Sequence, residues 1–202
     1  MEREVIVSGV GGQGIQLLAK TLALAATRQG RYAMLSADYG GEMRGGPSKA
    51  SVVIGDAPLR ALPVLASAWS AILAHHRFTE GVLERLRPGG PVLINSKLVD
   101  ATTLRPDLTV HGINAAGVAA EVGAPQAMGF VLLGAYNAIT EMVAPEALVA
   151  AMEELLPPYR RQHAPANARA IEAGAERIKA SVGLASAERA AAITTPTARI
   201  TT

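Results

Sequence analysis

Apolar positions along this chain follow two rhythms that take turns. Short aliphatic runs, which suit buried strands, alternate with stretches spaced three and four apart, which suit helices. Val5-Ile6-Val7 is the first run and leads straight into glycines. Ile15, Leu18, Ala19, Leu22 and Ala26 then mark one face of a helix from Ile15 to about Gln29, stopped by Gly30. Tyr32 to Ala37 is the next strand and ends at Asp38. Ser48 to Ile54 is another, closed by a Gly55-Asp56 turn. That strand follows a loop rather than a helix, so it reads as an antiparallel, hairpin-like excursion from a parallel sheet. Beyond the breaks at Pro58 and Pro63, Ala68 to Ala74 is a buried strand carrying Trp69. Thr79 to Leu86 is a short helix with Thr79 placed to cap it, ended by Arg87-Pro88-Gly89-Gly90. Pro91 to Ile94 and Leu108 to Ile113 are strands; the second runs through Asn114 into a short helix to Val122. Gly123 to Thr140 holds an apolar helix with Phe130, Leu132, Leu133 and Tyr136 facing inward. Pro145 opens the next helix, which ends near Pro157-Pro158. Asn167 to Ser181 is a last amphipathic helix, with Ala170, Ile171, Gly174 and Ile178 on one side. From Ser186 onward the periodicity is lost, and no internal repeat occurs. Strand–helix alternation of this kind predicts an α/β fold: a mainly parallel sheet, helices on both faces, and helices at the C-terminal end. Residues 1–183 form the domain, and 184–202 a flexible tail open to ordering by a partner.

Composition narrows the chemistry. The chain has 202 residues, enough for one domain with a real core. Half are hydrophobic but only 3% aromatic, so that core is aliphatic. A formal charge of +2, with dispersed basic residues and few rings to stack bases, argues against nucleic-acid binding. There is no cysteine, which excludes disulfides, thiolate catalysis and cysteine-held zinc or iron–sulfur clusters within this chain. No signal precedes the first strand and no apolar run is long enough to span a bilayer. A cytoplasmic protein without a membrane span is the expectation.

Candidate chemistry gathers at the glycines. Gly9, Gly11 and Gly14 satisfy G-x-G-x-x-G, and Gly12 and Gln13 complete the stretch. A strand, a tight turn and a helix in that order present backbone N–H groups to a phosphate or pyrophosphate, the arrangement of a Rossmann-like fold. A purely structural turn is the other reading. Asp38, after the second strand, stands where dinucleotide folds hold a ribose hydroxyl, which admits a stand-alone NAD-binding protein using Gly9, Gly11, Gly14 and Asp38. Tyr39-Gly40-Gly41-Glu42-Met43-Arg44-Gly45-Gly46-Pro47 cannot be a helix and is long for a plain connection. Arg44 there can reach a carboxylate or phosphate, or simply sit in a solvated turn beside Glu42. Asn95, at the C-terminal end of a strand, is a candidate lining residue or an ordinary turn asparagine. His75 and His76 are adjacent at a strand end, point to opposite faces, and are read as unligated histidines. No nucleophile–base arrangement, Walker lysine, metal cluster or Gly-Asp-Gly thiamine motif occurs, so no catalytic residue and no metal ligand is expected. The chain reads as part of an enzyme.

These motifs in this order resemble the gamma subunit of 2-oxoacid:ferredoxin oxidoreductases. The glycine loop carries the resemblance with Glu42-Met43-Arg44-Gly45-Gly46, Ile54-Gly55-Asp56, Pro88-Gly89-Gly90, Leu133-Gly134-Ala135 and the Asn167, Ala170, Gly174 spacing. It extends from Val5 to about Ile178. Gly129 departs from it, standing where relatives commonly have asparagine, and the Thr/Ala-rich tail has no counterpart. The resemblance implies a Rossmann-like gamma domain in a cytoplasmic multi-subunit enzyme that oxidatively decarboxylates a 2-oxo acid with coenzyme A to an acyl-CoA. Thiamine diphosphate, magnesium and iron–sulfur clusters would lie on alpha- and beta-type catalytic subunits and an iron–sulfur subunit, with electrons passing to ferredoxin or another acceptor. This chain would support assembly and contact coenzyme A, with Gly9, Gly11, Gly12, Gln13, Gly14, Arg44, Gly45, Gly46 and Asn95 as candidate contacts. Glu42-Met43-Arg44-Gly45-Gly46 leans toward 2-oxoglutarate or aryl 2-oxo acids rather than pyruvate. A purely structural subunit is the remaining alternative.

Overall fold

The computed structural model describes residues 1–39, 45–60 and 65–194, with Asp38, Tyr39 and residues 184–194 described by their backbone alone. Among these, six strands form one sheet: β1 (Glu2–Val10), β2 (Tyr32–Tyr39), β3 (Pro47–Gly55), β4 (Ser70–Leu73), β5 (Pro91–Asn95) and β6 (Thr109–Ile113). The order is β2-β3-β1-β4-β5-β6. The helices are α1 (Ile15–Arg28), α2 (Glu80–Leu83), α3 (Ala115–Glu121), α4 (Met128–Thr140), α5 (Pro145–Leu155) and α6 (Ala164–Thr194).

β1, β4, β5 and β6 run parallel, as the strand–helix alternation predicts. β3 is antiparallel to both its neighbours and pairs with the preceding β2 as a hairpin, the excursion from parallel order that the sequence predicts. It lies between β1 and β2, pairing Val5 with Val52 on one side and Leu35 with Val52 on the other. Its run from Ala50 to Gly55 is buried throughout, which a central strand requires.

Alternation along the strands divides the core. Val5 and Val7 of β1, Ile72 of β4 and Leu93 of β5 face α1, α3, α4, α5 and α6 in the larger cluster. Ile6, Ala71, Leu73, Val92 and Ile94 face the other way, against Val82, Leu86, Val99 and Leu104 from the single-turn α2 and nearby connections. The helices are therefore unequally shared between the faces.

Three boundaries differ from the sequence reading. β4 is shorter than Ala68–Ala74, because Ala68 forms only a bridge to Leu86 and the Trp69 N–H donates to Glu4 Oε2. α2 is shorter than Thr79–Leu86, and Thr79 does not cap it: its hydroxyl donates to the His76 carbonyl. α6 starts before Asn167 and continues across residue 184 to Thr194. The segment around Ala185, Ala187 and Ala190-Ala191-Ala192 lacks an apolar stripe, but alanine is the strongest helix former. Residues 195–202 lie outside the described residues.

Candidate anion site at the glycine loop

The loop between β1 and α1 closes on its own side chain. Gln13 N–H donates to the Val10 carbonyl at 3.2 Å, while Gln13 Oε1 accepts from Val10 N–H at 2.9 Å. Gln13 Nε2 reaches the Ala74 carbonyl at 3.5 Å, tying the loop to the end of β4. Gly14 is the N-cap of α1 in the left-handed conformation at φ 75°, and no side chain caps that helix. Gly12 has φ 100° and nothing within 4 Å of where a Cβ would stand. Both positions need glycine for the turn, and the bare surface that results lies at the start of a fourteen-residue helix without an acidic residue in its first turn. The first-turn N–H groups of any helix lack intrahelical acceptors, so this end attracts an anion.

A cavity of about 360 Å³ opens on that surface. Gly12, Gly14 and Leu17 form one wall. The start of α4 contributes Gly129 and Phe130. The connection from α5 to α6 closes the site with Arg160 and His163, and the start of α6 adds Asn167. Pro157 ends α5, and the chain turns through Pro158–His163, with Arg160 N–H donating to the Pro157 carbonyl at 2.8 Å. Arg160 is exposed, lies 5.7 Å from the Tyr159 ring centre, and pairs with no carboxylate among the described residues. The cavity is thus lined by the start of α1, an arginine and a histidine. Arg160 and His163 were not singled out from the sequence; the basic run Arg160-Arg161-Gln162-His163 between two helix patterns was the available signal.

Other sequence candidates fall elsewhere. Gly11 N–H donates to the Gly46 carbonyl at 2.9 Å, so Gly45 and Gly46 stack against the glycine loop by backbone contact. Arg44 lies outside the described residues. Gly9 makes room for Gln13 and Ile15, since a Cβ there would stand 2.5 Å from Gln13 Oε1. Asn95 is fully buried and does not line the cavity; its Nδ2 contacts Met128 Sδ at 3.5 Å and its Oδ1 has no partner. The His75 and His76 rings lie against each other, 4.3 Å between centres. Burial, with the neighbouring His76 and Arg77 charges, holds His75 below the ordinary histidine value. No group of three metal-ligating side chains occurs among the described residues, and none of their helices is long and apolar enough to cross a membrane.

Residues 4–177 match the family model of the pyruvate ferredoxin/flavodoxin oxidoreductases. The chain belongs to this family. It is 31% identical over 160 residues to the 2-oxoglutarate synthase subunit KorC of Methanocaldococcus jannaschii, covering 78% of this chain and 85% of that one. It is 29% identical over 156 residues to the pyruvate synthase subunit PorC of Methanothermobacter marburgensis, covering 76% and 86%. A crystal structure of the gamma subunit of a keto/oxoacid ferredoxin oxidoreductase from Geobacter sulfurreducens superposes with a TM-score of 0.76 at 30% identity, covering 89% of this chain and 98% of that one. The chain is accordingly a gamma subunit of the 2-oxoacid:ferredoxin oxidoreductases.

Proposed function

We propose that this gamma subunit handles coenzyme A within a complex that oxidatively decarboxylates a 2-oxo acid to an acyl-CoA. The observation that carries the proposal is the cavity where Gly12 and Gly14 at the start of α1 meet Arg160 and His163. Helix-end amides together with a guanidinium fit a phosphate group. The cavity volume suits the phosphate-bearing part of the coenzyme rather than all of it. With no cysteine in the chain, iron–sulfur clusters would be held by partner subunits, together with thiamine diphosphate and magnesium on alpha- and beta-type chains. The phosphate-binding residues of this chain would then orient the coenzyme toward chemistry performed on its partners. Glu42-Met43-Arg44-Gly45-Gly46 favours 2-oxoglutarate or an aryl 2-oxo acid over pyruvate, with ferredoxin or another carrier as acceptor.

The sheet order speaks against a stand-alone NAD site. β3 lies between β1 and β2, so the end of β2 that carries Asp38 is two strand spacings, roughly 10 Å, from β1 instead of one. Gly11 N–H is also already spent on Gly46.

Arg160→Ala in the assembled complex tests the proposal. Losing a charge-assisted contact should raise the apparent KM for coenzyme A by about tenfold, with subunit composition and the KM for the 2-oxo acid unchanged. An unaltered KM for coenzyme A would remove Arg160 from the site.

A further inference from the structure

A second and larger cavity, about 700 Å³, lies toward the opposite end of β1 and α1, between α4, α5 and α6. Its placement follows from the anchoring of the α4–α5 connection. Arg3, near the start of β1, donates from Nη1 to the Thr140 carbonyl at 3.0 Å, and Arg31, just beyond α1, donates to the Met142 carbonyl at 2.7 Å. The glycine loop is at the other end of both β1 and α1. This groove is therefore separate from the proposed coenzyme site.

Its floor is apolar, with the half-buried Ala138, Val149 and Ala175. Its rim is acidic. Glu141, Glu146, Glu172 and Glu176 are all exposed, against one cation, Lys179. None of the four carboxylates has a salt bridge or side-chain hydrogen bond among the described residues, although the chain pairs carboxylates readily elsewhere, as in Glu121 with Arg177 and Glu4 with Arg87. Glu141 also holds a left-handed backbone at φ 49°, which a non-glycine residue adopts at a cost. An apolar trough edged by unpaired carboxylates, on a chain whose net charge is +2, complements a segment that is apolar on one side and basic on the other.

We propose that this groove seats a lysine- or arginine-bearing segment of another subunit of the complex. The partner's origin rests on the multi-subunit reading above, but the site does not depend on coenzyme binding, and the two tests use different residues and readouts. The basic side chains would meet Glu172 and Glu176, and the apolar side would cover Ala138 and Ala175.

The experiment uses the full chain with the remaining subunits. The double variant Glu172→Lys with Glu176→Lys should weaken association by about tenfold or more at low ionic strength and flatten its salt dependence, while the isolated variant melts like the parent. Ala175→Phe, which fills the groove without changing charge, should weaken association similarly. Replacing Glu176 by the photo-crosslinker p-benzoylphenylalanine should, on irradiation of the complex, label a basic segment of another subunit. Unchanged association and salt slope in the charge variant would overturn the proposal. So would crosslinks confined to this chain, whether to its own C-terminal residues or to a second copy.

Discussion

Gln13 sits inside the glycine motif yet turns its side chain inward, accepting from Val10 N–H and donating to the Ala74 carbonyl. The motif was legible as a strand–turn–helix because glycines write their conformation into the sequence. Whether its one long side chain faces ligand or protein was not, since that depends on Ala74, sixty-one residues away. The basic run around Arg160 was visible, but not its place at this cavity, since Gly12 and Gly14, which line it too, are far off in the chain. Two single-residue predictions follow from burial. Tyr136 is fully buried, its hydroxyl 2.7 Å from Ser70 Oγ, and burial raises its pKa far above the usual phenol range. The folded state thus favours the neutral phenol. That stabilisation is complete below the unfolded pKa of about 10 and is lost as pH rises beyond it. Tyr136→Phe should cost about 1 kcal/mol at neutral pH and melt with a smaller alkaline decline than the parent above about pH 10. Asn95 leaves a buried Oδ1 unpartnered, so Asn95→Leu should be neutral or stabilising by about 1 kcal/mol in urea unfolding; a clear loss would show that the amide has a partner in the folded protein.

Two glycines that carried the family resemblance turn out to touch each other's helices. A Cβ on Gly134 of α4 would stand 1.9 Å from the Ile171 carbonyl oxygen, and one on Gly174 of α6 would stand 2.1 Å from that of Val131. The two helices cross backbone to backbone, which no side chain permits. Gly174→Ala should therefore cost about 2–3 kcal/mol despite alanine's better helix propensity, as overpacking forces the helices apart; equilibrium denaturation would reveal it as a lower midpoint. Gly129 of α4 makes a further close approach. Its absent Cβ would lie 3.1 Å from the Gln13 carbonyl oxygen, so α4 approaches the glycine loop closely and forms one wall of the cavity. Helix existence and spacing were readable from apolar periodicity. The contact between α4 and α6 was not, because a glycine chosen for closeness looks the same as one chosen for a turn.

The parallel part of the sheet, β1-β4-β5-β6, is what strand–helix alternation dictates. The antiparallel β3 reads as a strand from Ser48 onward, but its insertion between β1 and β2 is a tertiary choice that local pattern does not encode. That insertion has consequences for the entire chain. It distances Asp38 from the glycine loop and brings Gly46 against Gly11, leaving the dinucleotide-like motif facing the cavity that Arg160 and His163 also line, the proposed anion site. The most direct test places a negative charge in the proposed phosphate position. In the complex carrying Gly12→Asp, the apparent KM for coenzyme A should rise more than about tenfold above that of Gly12→Asn, which bears the same backbone strain at φ 100° without the charge, with the KM for the 2-oxo acid and the subunit composition unchanged. An unchanged KM for coenzyme A would contradict the account, and a complex that fails to assemble while the isolated chain still folds would make the glycine loop an interface instead.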